Sequence, residues 1–102
     1  MNKVYEQMKN LVPVINTQKY RDDGEFLIIM SYSHKIQYLN EVAREFFLQI
    51  DGKDKVEDIV AYLLEEYEVS EEELTRDIVE LIRDLQWNKM IMLKEKEEEL
   101  KA

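Results

Sequence analysis

Few side chains in this sequence could carry covalent chemistry. The adjacent carboxylates Asp22 and Asp23 could form an acid/base pair, but such work needs a partner base or an enclosing pocket. Their neighbours, Arg21 and Gly24-Glu25, supply neither. His34 is the only imidazole in 102 residues, too little for a two-histidine metal site or a Ser/His/Asp relay, and it reads as a turn residue. The absence of cysteine removes disulfides, thiolate ligands and a sulfur nucleophile together. Gly24 and Gly52 lie far apart, so no glycine-rich loop can cradle a phosphate. These residues point to a non-catalytic protein with no metal and no cofactor.

What remains is the chemistry of the backbone. An unpaired strand edge offers N–H and C=O groups to an incoming peptide, and pockets beside it supply selectivity. The segment Lys35-Ile36-Gln37-Tyr38-Leu39 suits such an edge, being short and polar at alternate positions. Ile36 and Tyr38 share one face; Lys35, Gln37 and Leu39 share the other. Ile36 and Tyr38 could equally be sheet packing, and Lys35 a charged guard against edge-to-edge aggregation.

The elements that would position this strand follow from periodicity. Val12 to Tyr20 reads as a weak strand, with Pro13 suiting a strand start or an edge. Arg21-Asp22-Asp23-Gly24-Glu25 is a turn signal, and Phe26 to Tyr32 is the clearest strand. Its apolar run on both faces predicts a covered central strand. Ser33-His34 makes the next tight turn into Lys35–Leu39.

The period changes at Asn40, a good N-cap. Leu39, Val42, Ala43, Phe46, Phe47 and Ile50 recur at helical spacing, and Asp51-Gly52 ends that helix. A second helix spans about Lys55 to Tyr67, with Asp54 and Glu57 at capping-box spacing. A third opens on Ser70 and Glu73, a capping box flanked by the staple residues Val69 and Leu74. Its apolar stripe, Leu74, Ile78, Leu81 and Leu85 widened by Val79 and Ile82, is broad enough to meet both a core and a groove. Met90-Ile91-Met92-Leu93 could be a terminal strand. The predicted class is α+β and winged-helix-like: a three-stranded antiparallel sheet, three helices and a short terminal strand. Residues 1–11 are expected as an N-terminal arm, 12–93 as the domain, and 94–102 as a charged tail.

Charge narrows the function. A net charge of -9 opposes binding to phosphate backbones. A winged-helix DNA binder would use the third helix, but Glu71, Glu72, Glu73, Asp77, Glu80 and Asp84 there outnumber Arg76 and Arg83. The cluster Glu65, Glu66, Glu68, Glu71, Glu72 and Glu73 is expected as solvated surface, or else as a docking patch for a basic partner. The longest apolar run, Phe26 to Met30, falls far short of the roughly 20 residues that span a bilayer. Met1 to Glu6 is mixed polar, unlike a signal peptide. A cytoplasmic location with no membrane contact is expected.

Taken in order, several of these residues resemble one family. They are the junction Leu39-Asn40, the turn Asp51-Gly52, the helix start Val56-Glu57-Asp58-Ile59, Tyr67 at the second helix end, and Asp77-Ile78 and Leu85 in the third. Their order and spacing resemble the PqqD family, the leader-peptide recognition elements of pathways that modify ribosomally made peptides. The likeness spans residues 12–93. One departure is Asn88-Lys89, where family members often place a glycine; an asparagine can adopt the same left-handed conformation.

The resemblance implies a domain without catalysis of its own. A precursor leader would lie along the third strand, in the groove it forms with the third helix. A modifying enzyme, a radical SAM enzyme or a leader peptidase, would then receive the peptide. The expected contact residues are Lys35, Ile36, Gln37 and Tyr38 on the strand, with Ile78, Leu81, Ile82 and Leu85 on the helix, any of which could instead be core. The competing reading is an assembly or docking subunit that binds an enzyme and no peptide.

Overall fold

The computed structural model describes residues 3–96. The elements in chain order are α1 (Lys3–Met8), β1 (Val12–Ile15), β2 (Thr17–Asp22), β3 (Leu27–Ser31), β4 (Ile36–Leu39), α2 (Glu41–Leu48), α3 (Val56–Glu66), α4 (Glu71–Trp87) and β5 (Ile91–Lys94). Strands β2, β3 and β4 form an antiparallel sheet in that order, and β1 pairs antiparallel with β5. The architecture is the expected α+β type, with the three-stranded sheet, the helices after it and a terminal strand.

The stretch Val12–Tyr20, expected as one strand, divides between two sheets. Asn16 makes the break. Its N–H donates to Met90 O at 2.8 Å and its Nδ2 to Lys89 O at 3.1 Å. The turn that follows α4 thus holds the chain at one point, and β1 and β2 leave it for different partners. The first hairpin forms as predicted: Gly24 takes a positive φ of 89°, and its N–H donates to Asp22 Oδ1 at 2.8 Å. Asp22 also receives two bonds from Arg44, Nε at 2.7 Å and Nη2 at 2.8 Å, which fasten the hairpin to α2. These bonds from Arg44, with the one from Gly24, hold the Asp22 carboxyl below its usual range.

Strand β3 is central in the sheet but covered on one face only. Leu27, Ile29 and Ser31 are buried, whereas Ile28 and Met30 alternate with them and are half-buried. The register sets Ile28 beside Tyr38 and Met30 beside Ile36, so four apolar side chains share the outer face. Phe26, expected inside the strand, precedes it and is exposed.

Helices α2, α3 and α4 are capped by chemistry local to them. Asn40 Oδ1 accepts from Ala43 N–H at 3.3 Å and starts α2; Ser70 Oγ accepts from Glu73 N–H at 3.1 Å and starts α4. At α3 the N-cap is Lys55 rather than Asp54, and its backbone N–H donates to Asp58 Oδ2 at 2.9 Å. Asp51 is displaced from α2 and instead accepts from Lys53 and Asp54 N–H, both at 2.8 Å, in the linking turn. Those two bonds lower the Asp51 pKa.

The core lies between the sheet's inner face and the helices. Leu27, Ile29, Phe46, Phe47, Val56, Leu63, Ile82, Leu85 and Met90 are fully buried there. Tyr20 reaches over it from β2 and meets the Phe47 ring edge-on, with centroids 5.7 Å apart. The segment expected as an N-terminal arm contributes as well. It forms α1, and Tyr5 and Met8 join the core cluster. The charged tail expected over 94–102 begins in β5, and its residues 97–102 lie outside the described residues.

Candidate peptide-binding groove

Among the described residues strand β4 has one partner, β3. The bonding pattern fixes which of its backbone groups remain open. Ser31 N–H donates to Lys35 O at 2.9 Å, which makes residues 31 and 35 a bonded pair. In an antiparallel ladder such pairs alternate. Ile29–Gln37 and Leu27–Leu39 are then the next bonded pairs, given their register. Ile36 and Tyr38 fall between them, and their N–H and C=O groups point away from β3 to the open edge.

Beside that edge runs a groove of about 520 Å³, bounded by β4, the start of α2 and one face of α4. Leu39 and Ile78 form its floor, 2% and 1% exposed, with Leu81 beside them. Asp77, Glu80 and Asp84 rise from α4 along it, and Glu41 faces them from α2. One further bond ties the two walls together: Asn88 Nδ2, just past α4, donates to Gln37 Oε1 at 3.2 Å.

The predicted contact residues divide between several places. Gln37, Tyr38, Ile78 and Leu81 line the groove. Ile36 lies on β4 with its side chain exposed on the outer face, and Lys35 sits at the hairpin end of the strand; neither lines the groove. Ile82 and Leu85 are each 0% exposed and belong to the core. The reason is their place on the helix. Ile78, Ile82 and Leu85 follow one another at spacings of four and three, a single inward row, while Leu81 stands at its edge.

Sequence reasoning missed the acidic side of the groove. Asp77, Glu80 and Asp84 stand at i, i+3 and i+7, one helical face beside Ile78 and Leu81. That spacing was readable, but nothing local distinguishes a groove wall from solvated surface. The Asn88–Gln37 bond joins residues far apart in the chain and carried no local signal.

The family model for coenzyme PQQ synthesis protein D (PqqD) matches residues 26–91, which takes in β3, β4 and all three long helices. The chain belongs to the PqqD family. No curated protein and no solved structure matches it. PqqD-family proteins are non-catalytic accessory proteins, and membership fits a peptide-binding or partner role in modified-peptide biosynthesis. Among the described residues no group of three or more His, Cys, Asp and Glu is arranged to hold a metal ion. No helix among them is long and apolar enough to cross a membrane.

Proposed function

We propose that this chain is a non-catalytic, cytoplasmic peptide-binding protein. It captures the leader of a ribosomal precursor peptide by strand addition to β4 and presents the precursor to a modifying enzyme, a radical SAM enzyme or a leader peptidase. The observation that carries the reading is the open edge of β4 lying directly beside the groove against α4. Backbone groups of Ile36 and Tyr38 would supply affinity with little demand on sequence, and the Leu39–Ile78–Leu81 floor would supply selectivity. Neither a cofactor nor nucleic acid has a part in it; the acids of α4 would repel a duplex.

A second reading is favoured by a different surface. The outer face of the sheet leaves Ile36 and Tyr38 55% and 69% exposed beside Ile28 and Met30, and such a patch suits contact with a protein. On this view the chain is an assembly or docking subunit that binds an enzyme without peptide.

Titration of isotope-labelled protein with the leader encoded beside its gene separates the two. Leader capture predicts amide shifts concentrated in residues 36–43 and 77–88. A folded protein that shows no shifts with leader, but shows them on β3 and the outer face with the enzyme, would establish the docking role instead.

A further inference from the structure

The groove carries charge of one sign, from α4 and from the start of α2. Glu41, Asp77, Glu80 and Asp84 line it, and among the described residues no lysine, arginine or histidine does; Arg76 and Arg83, the cations of α4, lie outside it. Among the described residues none of these four carboxylates is ion-paired. The floor between them is apolar, and the neighbouring strand edge fixes how an occupant would lie.

A peptide strand added to β4 turns alternate side chains to the face that Gln37 and Leu39 occupy, toward α4. Those side chains recur every ~6.8 Å. Glu80 and Asp84 are separated by about 6 Å along the helix axis, and Asp77 lies about 4.5 Å beyond Glu80. The two periods are similar, so long cationic side chains on a strand lying along α4 would reach one carboxylate each. An acidic peptide would instead set like charges against each other over an apolar floor, where water screens them less.

We infer that the groove selects an extended peptide with lysine or arginine at alternate positions, i and i+2, facing Glu80 and Asp84. This rests on the strand-addition reading and adds the chemical class of the ligand. Apolar residues at the flanking positions of the same face, i−2 and i+4, would rest on Leu39, Ile78 and Leu81.

The test is selection of a display library of random twelve-residue peptides against the full chain, followed by affinity measurement of the enriched sequences. Enrichment of Lys/Arg pairs at i, i+2, with shifts in residues 36–43 and 77–84, is the expected result. The double variant Glu80→Gln/Asp84→Asn should weaken those peptides about fivefold at low salt, in line with two partly exposed ion pairs. Glu65→Gln/Glu66→Gln, which removes the same charge from the exposed end of α3, should leave them unchanged. Circular dichroism confirms that both variants fold. Equal losses in the two variants would mean general attraction to an acidic protein and would overturn the inference. Enriched neutral or acidic peptides whose shifts map to β4 would overturn it while leaving strand addition intact. Enriched peptides that leave β4 unshifted would overturn both.

Discussion

The side-chain bond from Asn88 to Gln37, 3.2 Å long, joins the end of α4 to strand β4. Gln37 faces inward between Ile36 and Tyr38, the residues whose backbone groups face the open edge. The bond therefore sets the distance between the two walls of the groove. Replacing Asn88 by alanine removes it without touching the helix end, which is closed by backbone bonds. Asn88→Ala is expected to cost about 1 kcal/mol in a urea titration, the usual worth of a part-buried hydrogen bond, and to weaken peptide binding by loosening β4.

Lys89 follows in a conformation that suits glycine. Its φ is 58°, whereas Asn88, the residue expected to turn left-handed, has φ -87°. Met90 N–H donates to Leu85 O at 2.8 Å and Lys89 N–H to Gln86 O at 3.0 Å, a Schellman closure with lysine in the glycine position. Lys89→Gly relieves a left-handed cost of roughly 1–2 kcal/mol and gives back part of it through the looser unfolded chain. The expected net gain is about 0.5–1 kcal/mol, seen as a rise in Tm of a few degrees.

Ile82 and Leu81 are neighbours with opposite roles. Ile82 is 0% exposed, so Ile82→Ala leaves a cavity and should cost roughly 2–5 kcal/mol of stability. Leu81 is only partly buried at the groove. Leu81→Ala should lose less stability and more peptide affinity. Urea denaturation and a binding isotherm on the same two variants compare them directly; a larger affinity loss for Ile82→Ala at native stability would reverse the assignment.

Tyr5 gives the fold a pH limit. Burial of α1's tyrosine, with Glu57, Glu71, Glu6 and Asp58 adding negative potential, pushes its pKa up to about 12 from 10.0. The raised value means the folded state holds its proton where the unfolded state releases it. Stability from this source is complete below pH 10 and is lost as pH rises toward 12. The Tyr67 pKa is also raised, by burial first and then by Glu45 and Glu41. Absorbance at 295 nm should therefore show a late-ionising fraction from which Tyr5→Phe removes the last step, and the same variant should flatten the alkaline loss of stability.

The legible and illegible parts of this protein divide by how far apart the deciding residues lie. The Asn40 and Ser70 caps, the Gly24 turn and the apolar stripes act within a few residues, and their elements appeared where expected. The break at Asn16 depends on carbonyls of Lys89 and Met90, so the sequence alone showed one strand where there are two. The N-terminal segment reads from sequence only as an arm, because the elements that cover Tyr5 and Met8, with Val4 beside them, lie far along the chain. The open edge of β4 was visible as an alternating segment beside the helices. The division of the α4 stripe into core and groove depended on where β4 and α2 sit, which periodicity does not reveal.

The central claim is that β4 takes a peptide as an added strand, and amide hydrogen exchange tests it residue by residue. In the free protein Gln37 and Leu39, bonded to β3, should exchange slowly, while Ile36 and Tyr38 exchange fast. Addition of saturating leader peptide should slow Ile36 and Tyr38 at least tenfold and leave the alternation of the others in place. If leader binds and Ile36 and Tyr38 still exchange as fast as before, the peptide is not held by that edge, and the account of this protein as a strand-adding domain fails.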